Sequence, residues 1–149
     1  MTRPAEVKVR EGATPGTRFA EFEVGAKMGE VSFTITPEII DEYIAAVEGD
    51  EKLYVVDGRK AAPPDVLCPY MTSTLYQKYP PIQGIIMCEV AFNYHHPIWR
   101  DETTEIRLSG EVTEKFEKKH HKFIKWKGRY RRVDGVLLAE VENTFDLPE

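Results

Sequence analysis

Cations alternate with apolar residues in the second half of the sequence. The cations stand at odd positions: Lys125, Lys127, Arg129 and Arg131. The positions between them are mostly apolar: Ile124, Trp126, Gly128 and Tyr130. Because side chains on a strand alternate between its two faces, this period of two predicts a strand with a core face and a cationic face. The cationic face could bind phosphate groups, or it could be a solvated outer face of a sheet.

A nucleic acid is a third candidate ligand for that strand, since aromatic and basic residues interleave there. Two observations argue against it. The aromatic side chains are predicted to point away from the cations, and the formal net charge of −5 does not favour a general polyanion binder. We therefore expect no nucleic-acid partner.

Two pairs of adjacent histidines suggest metal binding at first sight. Neighbouring residues on a strand point to opposite faces, so His95 and His96 cannot both reach one ion without a turn. No third ligand is suitably spaced in the sequence. We expect His95-His96 to be turn or sheet-edge residues, with one of them able to line a pocket at a subunit interface. His120-His121 should be solvated, and no metal site is expected.

The bulk properties are those of one globular domain. The sequence has 149 residues, of which 42% are hydrophobic and 30% charged, which allows a core without metal or disulfide staples. We expect a single domain over residues 1–149, with residues 1–27 as an extended leader.

The N-terminus lacks an apolar signal segment, and no apolar run reaches the roughly 20 residues of a membrane span. With Cys68 and Cys88 expected as buried free thiols, these features predict a cytoplasmic protein without a membrane partner.

Local patterns predict a strand followed by a helix near residue 36. Residues 31–36 alternate and are rich in β-branched side chains, as strands are. Thr36 and Pro37 then suit an N-cap and a first helical position, and Gly49 ends the helix. Apolar residues at helical spacing predict its buried face: Ile39, Ile40, Tyr43, Ile44 and Val47.

A second helix and four long strands are predicted beyond it. Residues 51–62 are irregular, with a turn near Asp57-Gly58, and residues 65–79 form the most hydrophobic helix of the chain. Asp134-Gly135 is a two-residue hairpin signal. The strands are predicted over residues 85–94, 102–114, 119–133 and 136–147. This order predicts the α+β class, with an antiparallel sheet whose apolar face is covered by the second helix.

The order of these pieces resembles the MaoC-like and FAS1-like dehydratases of the hot-dog superfamily over residues 23–145. The matching pieces are Phe22-Glu23-Val24-Gly25, a helix ending in Gly49-Asp50, Ala62-Pro63-Pro64, His96-Pro97-Ile98 and Val133-Asp134-Gly135. The resemblance implies a single hot-dog domain, in which a curved antiparallel sheet wraps around a central helix.

In active members of this family, an aspartate and a histidine share the acid–base work within the string Gly-Asp-x-Asn-Pro-Leu-His-x-Asp. Residues 49–57 here read Gly-Asp-Glu-Lys-Leu-Tyr-Val-Val-Asp. Asp50 falls on the catalytic aspartate, Asp57 on the trailing aspartate and Val55 on the histidine. Valine can neither take nor give a proton. The neighbouring Tyr54 carries a phenol that could serve as a substitute donor.

The resemblance also implies a glycine N–H at the start of the central helix, which holds the thioester oxygen as in an oxyanion hole. Pro63 and Pro64 stand there, and proline has no N–H, so the amide of Asp65 would have to substitute. By resemblance, the substrate-binding residues are Asp57, Pro64 and Asp65. Lys125, Lys127 and Arg129 would then seat the phosphates of coenzyme A.

These features predict a MaoC-like enoyl-CoA hydratase or 3-hydroxyacyl-thioester dehydratase subunit. Because the histidine is replaced by Val55, we expect the substrate-shaping member of a homodimer or of a heterodimer with a histidine-containing hot-dog subunit. No cofactor is expected, since coenzyme A or acyl carrier protein is part of the substrate. Two alternatives remain: a non-enzymatic acyl-CoA-binding or scaffold domain, and a hot-dog thioesterase that uses Asp65.

Overall fold

The computed structural model describes residues 2–7 and 15–148. In this part of the chain the α-helices are α1 Pro4–Val7, α2 Pro37–Ala46 and α3 Ser73–Lys78. Short 3-10 helices span Phe19–Glu21, Glu51–Leu53 and Pro64–Tyr70. The strands are β1 Val31–Ile35, β2 Val55–Val56, β3 Arg59–Lys60, β4 Ile86–Tyr94, β5 Thr104–Lys118, β6 His121–Arg132 and β7 Leu137–Leu147.

The five longer strands form one antiparallel sheet in the order β1-β5-β6-β7-β4. The predicted turn at Asp134-Gly135 joins β6 to β7, with Gly135 at a φ of 94°. β5 continues to Lys118, beyond its predicted end at residue 114, because it resumes pairing with β6 after an irregularity between Val112 and Glu114. The predicted α+β class and the four long strands are therefore confirmed.

Residues 64–78 cover the core face of the sheet, but not as one helix. The segment starts as the 3-10 helix Pro64–Tyr70, turns, and continues as α3. Pro69 has no N–H and its ring clashes with the preceding turn, so a continuous α-helix over residues 65–79 cannot form. The central position is confirmed, since four side chains of the segment belong to the core: Val66, Leu67, Tyr70 and Leu75.

Aromatic contacts hold this segment against the sheet. The Tyr70 ring stacks on Phe33 of β1 with the ring centroids 4.0 Å apart. The buried Tyr130 hydroxyl of β6 donates a hydrogen bond to the Leu67 carbonyl at 3.1 Å. The segment is thus fixed to both β1 and β6.

Helix α2 begins as predicted and ends one residue earlier than its apolar pattern suggests. The Thr36 hydroxyl accepts a hydrogen bond from the Ile39 N–H at 3.2 Å, which is the N-cap geometry. Val47 was predicted on the buried face but is 50% exposed. The helix ends at Ala46 and Val47 is its C-cap, so the Val47 side chain no longer lies on the buried face of the helix.

The N-terminal residues are not an extended leader. Pro4–Val7 is helical, Phe19–Glu21 is a 3-10 helix, and Phe22 and Met28 are buried in the core. Residues 8–14 of the predicted leader lie outside the described residues. Phe22 is therefore part of the core, with Val7, Phe19 and Ala26 packed against it, whereas Val24 is 59% exposed.

Strand β4 forms one edge of the sheet, and most of its side chains are exposed. Ile86 is 59% exposed, and Val90 and Tyr94 are each 43% exposed. Cys88 on this strand is a free and exposed thiol, while the free Cys68 is partly buried, so the expectation of two buried thiols is wrong. A nine-residue edge with exposed apolar side chains is a surface that soluble proteins usually cover.

Replacing Leu75 by alanine should destabilise the fold. Leu75 is 1% exposed, so its loss removes buried contacts and leaves a cavity costing about 2–5 kcal/mol. Urea denaturation of the variant and the parent measures this, with Leu53→Ala as the control because Leu53 is 75% exposed. Equal midpoints for Leu75→Ala and the control would contradict the central placement of α3.

Candidate functional site: a cavity beside Val55

Residues 55–60 form a small hairpin where an irregular loop was predicted. β2 pairs with β3 in antiparallel register, and the turn residues Asp57 and Gly58 have φ values of 49° and 78°. Positive φ at both positions matches the tight hairpin turn that Asp-Gly favours. The predicted turn is confirmed, and Val55 lies on a strand.

The hairpin is fastened to the segment that follows β4. The Arg59 guanidinium lies 4.2 Å from the centre of the Trp99 ring and donates a hydrogen bond to Glu102 at 2.8 Å. Nearby, the Ala62 N–H donates to the Ile98 carbonyl at 2.7 Å. These contacts hold the hairpin and residues 97–102 together as facing walls.

Arg100 adds a second attachment. Its guanidinium pairs with Asp41 of α2 at 2.9 Å and with Glu51 of the following 3-10 helix. The backbone N–H of Arg100 also donates to the Lys60 carbonyl at 3.2 Å. Arg100 therefore joins α2 and the 3-10 helix through its guanidinium, and the hairpin through its backbone.

A cavity of about 280 Å³ lies between these walls. We call it the Val55 cavity. Most of its lining is apolar: Leu53, Val55, Val56, Ala61, Ala62, Pro64, Leu67, Pro97 and Ile98. The polar lining residues are Tyr54, Tyr94, His95 and His96. A concave, mainly apolar site with a few polar groups is the usual form of a small-molecule site.

The two histidines at the end of β4 have different surroundings. A ring nitrogen of His95 lies 3.2 Å from Glu140 on β7. The His96 ring makes no hydrogen bond or ion pair with another described residue. The backbone N–H of His96 donates to the Leu138 carbonyl at 3.2 Å. The sequence analysis allowed one of them to line a pocket at a subunit interface, and here both line a cavity of this chain.

The catalytic candidates Asp50 and Tyr54 have different surroundings. Asp50 is exposed and caps the 3-10 helix, its carboxylate accepting the Lys52 N–H at 3.1 Å. Tyr54 lines the Val55 cavity, and its ring packs against Gly49, where a Cβ would lie 2.9 Å from the phenol oxygen. Asp57 is exposed at the hairpin tip and does not line the cavity.

Pro64 lines the cavity, whereas Asp65 lies beside it. Asp65 is exposed. Burial, aided by the Asp65 charge, raises the pKa of Tyr43 to about 12. Burial likewise raises the pKa of the Cys68 thiol. At neutral pH Tyr43 and Cys68 are therefore protonated and do not act as nucleophiles or bases.

The cationic strand is confirmed as a strand with two unlike faces. Ile124, Trp126 and Tyr130 are fully buried, while the cations lie on the opposite face. There they meet carboxylates of the flanking strands: Lys125 pairs with Glu114, Lys127 with Glu140, and Arg129 with both Glu111 and Glu140. Lys127 is the main cause of a lowered pKa at Glu140.

These ion pairs give the expected phosphate seat no support, and it stays a prediction. Lys125, Lys127 and Arg129 do not line the Val55 cavity, and each already has a carboxylate neighbour. The solvated-face alternative is favoured. The rings of Trp126 and Tyr130 lie on the core face, whereas Phe123 stacks on Phe116, with Lys125 Nζ 5.9 Å from the Phe116 ring centre.

His120 and His121 are exposed, as expected, and His121 also pairs with a carboxylate. Its Nδ1 lies 2.7 Å from an oxygen of Asp146 on β7, and the His121 side chain remains 61% exposed. Over residues 2–7 and 15–148, no three His, Cys, Asp or Glu side chains are placed to hold a metal ion. In the same residues no helix is long and apolar enough to cross a membrane.

Comparisons by sequence identify no relative. No protein-family model matches the chain, and no curated protein is significantly similar to it.

Comparisons by structure find matches to solved proteins. The R-hydratase PhaJ1 from Pseudomonas aeruginosa has a TM-score of 0.67 at 18% identity, covering 90% of this chain and 87% of its own. The MaoC-like dehydratase from Rhodospirillum rubrum has a TM-score of 0.69 at 14% identity, covering 90% and 99%. The HadBC (3R-hydroxyacyl-ACP dehydratase) complex from Mycobacterium tuberculosis has a TM-score of 0.67 at 15% identity, covering 83% and 96%.

These matches identify the fold. The chain has the hot-dog fold found in MaoC-like dehydratases and R-hydratases. The resemblance in the sequence therefore predicted the fold correctly.

Replacing Arg129 by alanine should leave acyl-CoA binding nearly unchanged. Arg129 is held by Glu111 and Glu140 and lies outside the cavity, so we expect affinities for butyryl-CoA within about twofold of the parent. Calorimetry at low salt, where exposed charges are least screened, measures this. A clear loss of affinity that shrinks at high salt would restore the phosphate seat.

Proposed function

We propose that this chain is an acyl-thioester-binding subunit of a MaoC-like enoyl-CoA hydratase or 3-hydroxyacyl-thioester dehydratase. The observation that carries the proposal is the Val55 cavity. It lies in a hot-dog fold, it has an acyl-compatible lining, and Val55 is on its wall where the resembled motif has a histidine. Coenzyme A or acyl carrier protein enters as part of the substrate, and no cofactor is required.

The same cavity argues against the family's own acid–base chemistry in this chain alone. Syn addition of water needs one group to take a proton and another to give one. Val55 supplies neither, and Asp50 is exposed and occupied as a helix cap. Pro63 and Pro64 remove the two N–H groups that precede Asp65. We infer that a partner subunit supplies the catalytic aspartate and histidine.

The open edge of the sheet supports such an assembly. β4 exposes apolar side chains along its length and ends at Tyr94, which lines the Val55 cavity. Two sheets joined through this edge would cover the apolar side chains and bring a second subunit close to the cavity. The HadBC structure is that of a complex. We propose a homodimer or a heterodimer with a histidine-containing hot-dog subunit, located in the cytoplasm.

Two other functions compete with this proposal. A non-enzymatic acyl-CoA-binding domain would use the same cavity without any catalytic partner. A thioesterase that uses Asp65 has less support, because Asp65 is exposed and lies outside the cavity lining. Release of free thiol from acyl-CoA by the isolated protein would single out the thioesterase.

The purified protein alone should hydrate crotonyl-CoA at a near-background rate. The 10²–10⁴-fold acid–base contribution is absent, so Asp50→Ala should change little. Absorbance of the conjugated double bond follows the reaction, and thiol release is followed in parallel. Robust hydration that Asp50→Ala abolishes would contradict the proposal. It would indicate that another group replaces the histidine as the acid, and Tyr54 is the candidate nearest to Val55 in sequence.

Restoring the histidine alone should not create a fast enzyme. Val55→His restores the histidine of the motif, but Pro63 and Pro64 still have no N–H to donate to the oxyanion. Loss of one such donor lowers the rate by about 10²–10³. The same absorbance assay compares Val55→His with Val55→Leu, which controls for filling the cavity mouth. Fast hydration by Val55→His alone would refute the assignment of Pro63-Pro64 as a lost oxyanion site.

Association should depend on β4. Light scattering at micromolar concentration should give a dimer or a higher even-numbered assembly for the parent. Val90→Asp should shift it to monomer, since Val90 is the central residue of the exposed edge and a buried unpaired carboxylate is costly. Val133→Asp is the matched control, because Val133 is 46% exposed and lies in the turn after β6. A monomeric parent would contradict the assembly.

A further inference from the structure

The sheet has two edge strands, β1 and β4, and β1 has the sequence of a strand that pairs readily. Residues 31–36 read Val-Ser-Phe-Thr-Ile-Thr, with no charged residue and no proline, and β1 pairs with β5 in continuous register. Charges, prolines and bulges are the usual features that keep an edge strand from pairing with another molecule. A six-residue segment without them is typical of sequences that form intermolecular sheets. The outer side of β1 therefore requires protection.

Residues 2–7, which we call the N-terminal strap, lie on this outer side. The Thr2 N–H donates to the Thr34 carbonyl at 3.2 Å, and the Thr2 hydroxyl accepts the Thr34 N–H at 3.2 Å. Both backbone polar groups of Thr34 are thus used by Thr2. A strand from a second molecule would pair with the same two groups, so the docked strap and such a strand exclude each other.

Two side chains of the domain hold the strap in place. The buried Tyr70 hydroxyl donates to the Thr2 carbonyl at 2.8 Å, and the same ring stacks on Phe33 of β1. Burial raises the pKa of Tyr70 to about 12, so this hydroxyl stays a donor at neutral pH. On α2, the Glu42 carboxylate accepts two hydrogen bonds from the Arg3 guanidinium, at 2.8 and 3.2 Å.

The strap is nevertheless held by few buried contacts. Helix α1 has no buried residue, and the Arg3 and Glu42 side chains are 41% and 50% exposed. Exposed ion pairs add little to stability and weaken as salt rises. Segments with few buried contacts are those that open locally while the rest of a protein stays folded. Undocking of the strap therefore requires less free energy than unfolding of the sheet that it covers.

We propose that the N-terminal strap restricts pairing of this chain to β4, and that an undocked strap exposes β1 as a second pairing surface. The partner that fits this surface is β1 of another copy, because it has the same uncharged, β-branched residues and the same unpaired edge. Two copies joined antiparallel through β1 form a contact in which both use the same residues. This inference concerns assembly and does not depend on what the Val55 cavity binds.

Loosening the strap without changing the core tests the proposal. Thr2→Pro removes the N–H and the hydroxyl that bond to Thr34, and Arg3→Ala removes the pair with Glu42, while Tyr70 and β1 keep their sequence. In the double variant the Thr34 amide should exchange with solvent at least about fivefold faster than in the parent, the effect of losing one hydrogen bond. Hydrogen exchange followed by NMR measures this rate. Ala5→Ser is the control and should leave the rate unchanged, since Ala5 is exposed on the same helix.

Sedimentation equilibrium then measures whether the exposed edge pairs. The background is Val90→Asp, expected to be monomeric because the β4 edge no longer associates. Adding Thr2→Pro and Arg3→Ala should give a dimer. Adding Ser32→Lys as well should return the monomer, because a lysine on an edge strand opposes pairing. Without Val90→Asp, the strap variant should form species larger than the parent assembly.

The outcomes separate this inference from the proposed β4 assembly. Parental exchange at Thr34 in the strap variant contradicts the docking role of the strap. Faster exchange with no gain in mass in either background overturns the proposal that the strap prevents pairing. A gain in mass that Ser32→Lys does not reverse overturns β1 as the surface. If Val90→Asp stays associated, the β4 assembly fails, and the gain in mass over that background still decides this inference.

Discussion

The packing of residues 64–78 onto the core face of the sheet is the contact on which the rest of the molecule depends. The Trp126 side chain determines the shape of the surface against which residues 64–78 pack. A Cβ at Gly110 would be 2.7 Å from the Trp126 ring and one at Gly128 would be 2.5 Å from it, so only glycines allow the indole to occupy that space. The Tyr130 hydroxyl then binds the Leu67 carbonyl. Leu67 and Pro64 are also walls of the Val55 cavity, so the core contact and the site share residues.

The strands could be predicted from the sequence because their pattern is long and regular. Ile124, Trp126 and Tyr130 alternate with cations, and one register puts every apolar residue inside. The central helix was harder, since apolar spacing indicates a buried segment but not its helical type. Pro69 decides this through its missing N–H and its ring. The exposure of β4 could not be read from composition, because an apolar edge strand and a buried strand have the same residue types.

The candidate site was only partly predictable for a related reason. Aligning residues 49–57 with a known motif located Tyr54 and Val55, and both line the cavity. The same alignment placed Asp50 and Asp57 at functional positions, yet local geometry turns Asp50 into a helix cap and Asp57 into a turn residue. A motif gives positions along a chain, whereas the direction of a side chain depends on neighbours elsewhere. His96 comes from another wall and has no local signal near residue 55.

Ion pairs on the outer face of the sheet distinguish it from the apolar core face. On the outer face, Glu140 joins Lys127, Arg129 and His95 into one network. Such exposed pairs contribute little to stability individually. They give Lys127 and Arg129 carboxylate neighbours and tie the His95 ring to β7. The His96 ring makes no such pair with another described residue, and both histidines line the Val55 cavity.

The end of β4 connects the open edge with the cavity. Tyr94 is the last residue of the edge strand and a lining residue of the cavity, and His96 follows it directly. Under the proposed function, a subunit that pairs with β4 orders the same backbone that carries Tyr94, His95 and His96 of the cavity wall. Binding free energies at two such sites are coupled reciprocally. A partner that raises the affinity for acyl thioester by some factor must therefore itself bind more tightly, by the same factor, when the cavity is filled. In such a pair the subunit without a catalytic histidine still contributes to the reaction, because it makes assembly and substrate binding depend on each other.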